Sequence, residues 1–393
     1  MKLFAQHGYN EGDKIKNGLK DGLISGVIYG AKDINPDRLE TRLKEIKEEF
    51  PDAGRLFDPQ YFVSLIGNDP NIKLGKLDEY SFFKARRRSQ LEANNLVAEE
   101  IRKVLEFQVG LPVTHIIAPN ILISRSFDSV EAVISKSFIR QTRKIFDEFK
   151  VKQPVFATLA ISREALIDTT ELESFLNDVT LLDSPPDGFY LLIAARDVEA
   201  RYDIFNADVV AAWMLLNYSL KINGLKVING YSDILSPFLG AVGGDIGCTG
   251  WWSNLRFFSL DRFAPEATGG RLPVQRYLSA KLLNRITFYE LNALRRFVPQ
   301  IVNGLAKDKA YEDEPERTVE ILQTWEALSS MLESMADSND VSKNLNKCAD
   351  AIKLAEQLYS EIKFKYRLDP KSDDNHLEPL REGINLFKKT AEI

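Results

Sequence analysis

The chain has 393 residues, 44% of them hydrophobic, 27% charged and 10% aromatic, an ordinary globular composition with enough apolar residue for a full-sized core. Fifty-one Lys and Arg against 57 Asp and Glu leave a net charge of −6, so charge alone draws it neither to nucleic acid nor to anionic membrane. The longest apolar runs, at 188–195 and 209–216, are too short to span a bilayer. The first residues turn polar within six positions, unlike a secretory leader, and two cysteines exclude a disulfide framework or a multi-cysteine metal site. A cytoplasmic protein without a membrane segment is expected.

From the start of the chain, short β-rich runs alternate with helical stretches. The runs are KLFAQH (2–7), ISGVIYG (24–30), GRLFD (54–58), VTHIIAP (113–119), PVFATLAIS (154–162), GFYLLIAA (188–195), LKVING (225–230) and DIGCTG (245–250). Strict polar alternation is absent, as in parallel strands covered on both faces. Between them, Pro36 opens a helix whose stripe is Leu39, Leu43, Ile46 and Phe50, and Pro51 closes it. Val130, Val133, Ile134, Phe138, Ile145 and Phe149 mark a second helix, and 208–220 a third. Eight such units predict a (β/α)8 TIM-type barrel over 1–265, with an insertion at 59–110 after strand 3. An open doubly wound sheet would place G-x-G-x-x-G after the first strand, where this chain has QHGYNEGD.

Beyond 265 the alternation stops, and an all-helical C-terminal extension is expected. Residues 266–310 read as a helical wrap, with one helix at 278–297, and DKAYEDEP (308–315) as an acidic linker. Ile321, Trp325, Leu328, Leu332 and Met335, then Val341, Leu345, Cys348, Ile352, Ala355, Tyr359, Ile362 and Tyr366, recur at alternating steps of four and three. That heptad seam predicts a helical hairpin, followed by a terminal helix, over 316–393. Packed inward, the seam is intramolecular; packed outward, residues 316–366 would join a second copy or a partner protein.

A barrel keeps its chemistry at the C-terminal ends of its strands, and here those ends are polar. They offer Gln6, His7, Lys32, Asp33, Asp58, Asn120, Arg163, Arg196, Asp197, Asn229, Tyr231, Thr249, Trp251, Asn254 and Arg256. Each alone is equally a turn former or a helix cap; the set points to a site. His7 and Asp58 are the candidates for proton transfer, His7 because imidazole titrates near neutrality and Asp58 as the carboxylate suited to a base or electrostatic stabiliser. Lys32 is a candidate nucleophile or charge stabiliser. Arg163, Arg196 and Arg256, with the glycine-bearing loops NGYSD and TGWWSNLR, suit an anion. Gln6, Asp33, Asn120, Asn229, Tyr231, Thr249, Trp251 and Asn254 would line the ligand.

The cofactor is left open: His7, Asp33 and Asp58, from three neighbouring strands, are sensible metal ligands, but no H-x-H on strand 1, no H-E-x-x-H and no cysteine cluster accompanies them. Two isolated cysteines cannot supply the zinc site of the barrel tRNA transglycosylases, and strand 1 lacks the histidine pair of metal-dependent amidohydrolases. Lys84, Arg86, Arg87 and Arg88 form one dense basic run, read as a solvated helix face or, less directly, as a guide for a polynucleotide. The expectation is an enzyme acting on a small anionic ligand of phosphorylated or nucleotide-like type, its reaction class open. The alternative is a non-catalytic scaffold or ligand-sensing subunit whose tail mediates assembly.

Overall fold

The computed structural model describes residues 1–196, 204–265, 273–311 and 315–393. Each of the eight predicted runs supplies a strand: β1 (Lys2–Gln6), β2 (Gly26–Gly30), β3 (Gly54–Asp58), β4 (Ile116–Ala118) with its short continuation β5 (Leu122–Ile123), β6 (Val155–Ser162), β7 (Gly188–Ala195), β8 (Lys226–Asn229) and β9 (Ile246–Thr249). They are parallel and run in the order β3-β2-β1-β9-β8-β7-β6-β4. The remaining seam, between β3 and β4, is bridged by Thr114, whose N–H donates to Arg55 O at 2.8 Å and whose hydroxyl accepts the Arg55 N–H at 2.9 Å. The result is a nearly closed (β/α)8 barrel.

Side chains alternate between the barrel interior and the helices, and glycines show which is which. A β-carbon at Gly26 or Gly54 would lie 2.7 or 2.2 Å from the Phe4 ring, and one at Gly188 would meet the Phe156 ring at 2.6 Å. Phe4 and Phe156 therefore fill the lower barrel in space that glycine leaves on neighbouring strands. Phe57, of opposite parity, packs outward on Tyr80, Phe82 and Phe107. By the same parity Gln6, Gly30, Asp58, Tyr190 and Cys248 face the interior.

Helices coat the outside for the reasons their sequences give. Asn35 caps Pro36–Glu49 by accepting the Arg38 N–H at 2.9 Å, and Ser129 caps Val130–Asp147 in the same way. Asn94–Val109 covers the β3–β4 step, Thr169–Thr180 the β6–β7 step, and Ala207–Ile222 the β7–β8 step. Lys14–Lys20 and Ser236–Ala241 flank a gap that a helix directly after β9 would normally fill.

Arg317–Met335 fills that gap. Its Trp325 lies on Gly18, where a β-carbon would come within 2.6 Å of the indole; Ser329 donates to Leu23 O at 2.8 Å; and Ala336 meets Gly240. The first half of the expected tail hairpin is thus the eighth helix of the barrel. The extension proper begins after it, with Val341–Lys365 and Leu377–Thr390, the latter seated on Ala207–Ile222 through Gly383 and Val210. The seam residues Leu345, Cys348, Ile352, Ala355, Tyr359 and Ile362 are all buried within this one chain.

The expected wrap helix at 278–297, and with it the all-helical reading of 266–310, is corrected. After β10 (Phe258–Ser259), the chain forms an antiparallel pair, β11 (Arg276–Ser279) and β12 (Asn284–Thr287), and only then a short helix, Phe288–Leu294. A left-handed Leu283 makes the turn. Gln323 of the eighth helix makes both hydrogen bonds to the Leu278 backbone, and Asn303 donates to the same carbonyl. A side chain from elsewhere thus satisfies the free strand edge, which local spacing cannot reveal.

Candidate functional site

Asp58 lies at the upper end of β3, on the inner face and fully buried. Its Oδ1 accepts the Gln60 N–H at 2.9 Å, and its Oδ2 accepts the hydroxyl of Tyr190, from β7 across the barrel, at 3.2 Å. Burial pushes its carboxyl up to about 6, against the opposing pull of the Gln60 N–H, Arg262 and Tyr190. Burial, then the negative charge of Asp58, holds the Tyr190 phenol and the Cys248 thiol well above their usual values. A carboxyl that titrates near neutrality beside a neutral phenol is equipped to give or take a proton.

Around this acid the mouth is rich in amides. Gln6, next along the inner face of β1 from Phe4, has no solvent exposure, and neither atom of its carboxamide has a hydrogen-bond partner among the described residues. Gln60 accepts the Lys32 N–H at 2.8 Å through Oε1, while its Nε2 has no acceptor. That amide sits over Gly30, the register partner of Asp58, where a β-carbon would come within 2.8 Å of Nε2.

The roof is an aromatic strap. After β9 the chain crosses the mouth, and β10 adds to the upper end of β7, beyond the point where β8 stops. This places Phe258 5.0 Å from Phe62 and 5.5 Å from Tyr231, ring centre to centre, and Phe263 6.3 Å from Phe62. The insertion after β3 joins the strap through Phe62 and through Lys73, whose N–H donates to Phe263 O. Arg262 reaches down to donate to the Tyr231 hydroxyl and pairs with Asp33 at 2.7 Å. Lys32 Nζ lies 5.7 Å over the Phe263 ring.

A second buried network stands beside it. Asp233 is gripped by both terminal nitrogens of Arg285, at 2.6 and 2.8 Å, and accepts from the Thr249 hydroxyl. Burial alone would raise the Asp233 carboxyl, but Arg285 holds it below the usual value. Arg256 donates to Gly250 O and Trp251 O and lies 3.9 Å from Glu320; burial, then the nearby Arg285, lowers it to about 10. Gln60, Tyr231 and Asp233, none of them glycine, hold φ of 51°, 53° and 40°. Such left-handed positions cost free energy and collect where surrounding structure imposes them.

Other predicted residues lie elsewhere. His7 has the outward parity: its Nε2 is 3.4 Å from Glu11, and its ring packs on Tyr29 and edge-on to Trp251. Asn120 donates to Ser135 Oγ at 2.9 Å and to Thr158 O at 2.8 Å, tying β4 to the next helix. Asn229 accepts from Trp213 Nε1 at 2.8 Å and exchanges bonds with Asn217. Both asparagines serve strand–helix packing. Trp251 donates to Tyr9 O, as does Trp252. Arg163 is half-buried at the start of Arg163–Leu166, Asn254 is exposed, and Arg196, 61% exposed, lies 3.8 Å from Glu164. Asp197 lies outside the described residues. In the basic run, Arg86 pairs with buried Glu100 and Arg88 with Glu131. Sequence reading missed Tyr190, Arg262, Asp233 and Arg285 as site members. Inward parity, anchored on the glycines, would have found Tyr190; the others arrive by loops with no local signal.

Among the described residues, no group of three or more His, Cys, Asp and Glu is placed to hold a metal ion, and no helix is long and apolar enough to cross a membrane. Two hollows, of about 150 Å³ by Met331 and Met335 and about 400 Å³ by Asn35 and Phe107, lie away from the barrel strands.

No protein-family profile and no curated protein sequence matches the chain. Among solved structures it is similar to a dihydrodipicolinate synthase from Oceanobacillus iheyensis, with 11% identity, a TM-score of 0.26, and coverage of 93% of this chain and 96% of that one. At that distance the likeness carries no chemistry. The parallel strand order defines the class: a (β/α)8 barrel with a strapped mouth and a buried acid at its centre.

Proposed function

We propose that the protein is a barrel enzyme that moves a proton on a small ligand at the mouth, with Asp58 as the acid–base group. The observation that carries this reading is a carboxyl at the barrel axis, fully buried and pushed up to about 6. A structural carboxylate is normally paired with a cation; this one is held by a phenol and one backbone N–H. Arg262 and Lys32 at the rim offset negative charge on the ligand. His7, behind the wall, takes no part in the transfer. Entry requires the strap carrying Phe258 and Phe263 to lift.

The test is native mass spectrometry of gently purified protein, then thermal shift against phosphates and nucleotides, for wild type and Asp58→Asn. A ligand at 100 times its Kd stabilises by about 2.7 kcal/mol. Binding by both proteins, with turnover of the bound ligand in wild type only, is expected. A ligand-free barrel with no thermal response would sink the proposal. A second reading, a non-catalytic scaffold or ligand-sensing subunit, draws on the mutual pairing of Asp33 with Arg262 and of Asp233 with Arg285. It predicts a defined assembly that forms without small molecules and is unchanged in Asp58→Asn.

A further inference from the structure

We infer that the part of the ligand reaching the floor of this site is neutral and planar, with a hydrogen-bond donor beside an acceptor, and that Gln6 reads it with both ends of its carboxamide. An amide, a ureide and a nucleobase edge share that chemistry. The inference rests on the acid–base reading above and adds the class of group that Asp58 meets.

Gln6 carries the argument. Its side chain has no solvent exposure, shares the inner face with Phe4, and leaves both Oε1 and Nε2 without a partner among the described residues. A carboxamide offers two donors and two acceptors in one plane, and a buried amide left unmatched is a cost that folding normally avoids. The match for both ends at once is a second planar donor–acceptor pair. Gln60 narrows the choice: its oxygen is spent on the Lys32 N–H, leaving only Nε2, a donor that lies over Gly30 and beside the Tyr231 hydroxyl.

Charge points the same way. Arg262 is engaged by Asp33 and Tyr231, and Arg285 by Asp233. The floor beneath them presents amides, the Tyr190 phenol and an acid that burial favours in its neutral form. With both arginines already matched by carboxylates, the group at Gln6 depth is left to neutral partners and is uncharged. The rings of Phe62, Phe258 and Tyr231 pack against one another at the roof of the mouth.

The test is calorimetric titration of the full chain with adenine, cytosine, nicotinamide, urea and inorganic phosphate, using wild type, Gln6→Met and Asp58→Asn. The expected result is that at least one neutral probe binds wild type and weakens about tenfold or more in Gln6→Met, as loss of a bidentate pair predicts, while phosphate is indifferent to that change. Phosphate binding without any neutral probe overturns the inference and leaves the acid–base reading standing. A neutral probe that binds wild type and Gln6→Met equally also overturns it. No binding by well-folded protein sinks both. Should Gln6→Met not fold, the side-chain amide resonance of Gln6 in selectively labelled wild type decides: it shifts on adding the probe, or the inference falls.

Discussion

Polar residues at the strand ends of this barrel fall into two groups that the side of the wall separates. Asn120 and Asn229, pointing outward, spend their amides on the surrounding fold: Asn120 on Ser135 of the next helix and on the Thr158 carbonyl of β6, Asn229 in a closed set of bonds with Trp213 and Asn217. Gln6 and Gln60, pointing inward, are just as buried yet keep amide atoms unmatched. Composition, depth and residue type are alike, so direction makes the difference. The outer amides hold the fold together, and the inner ones are held ready by it.

That contrast can be broken at four points, from the strongest expected effect to the weakest. Asp233 belongs to the satisfied class, and Asp233→Ala leaves Arg285 without its buried counter-charge. Chemical denaturation should report a loss of about 4 kcal/mol. Asp58 belongs to the other class. Its carboxyl, raised from 3.8 to about 6 in the folded state, holds a proton that the unfolded chain releases. Stability should therefore fall as pH rises from about 4 to 6, and the cost is fully present above that. Asp58→Asn removes it, gaining about 3 kcal/mol at pH 7 and nothing at pH 3. Parallel denaturation curves across pH check both ends; a constant difference between the proteins would contradict the assignment.

Asn229→Ala should cost about 2 kcal/mol, because the Trp213 N–H and the Asn217 carboxamide oxygen lose their partners in the core; a thermal midpoint unchanged from wild type would erase the distinction drawn here. Gln6→Met is the mildest change, and opposite in sign. Exchanging an unmatched amide for an apolar chain of similar size should stabilise the ligand-free protein by about 1 kcal/mol. A loss of similar size, measured the same way, would mean Gln6 is structural after all.

The barrel was legible because β-rich runs such as GFYLLIAA and PVFATLAIS are buried on both faces and show their length directly. The polar rim was legible as a set, and Asp58 as a member of it. Direction was harder to read: Gln6 and His7 are neighbours, and only the Phe4–Gly26–Gly54 packing shows which faces the axis. The heptad spacing of 321–335 was real but did not say what it packs against, since a barrel helix and a coiled coil bury the same stripe. The hairpin at 276–287 was missed because four-residue strands are too short to display alternation, and Gln323, more than 30 residues away, supplies their edge bonds.

The late arrival of the eighth helix also bears on how the protein is made. Ser329 meets Leu23 across 306 positions of sequence, so the first stave of the barrel waits until most of the chain has left the ribosome before its neighbour appears. Until then Ile15 and Ile24, buried in the finished protein, have one flank open. Such long-range closure is slow and exposes sticky intermediates. Messages cut short before about residue 335 should therefore yield aggregating, chaperone-bound chains rather than a smaller working barrel, and the length of the nascent chain itself sets the moment at which the mouth can first form.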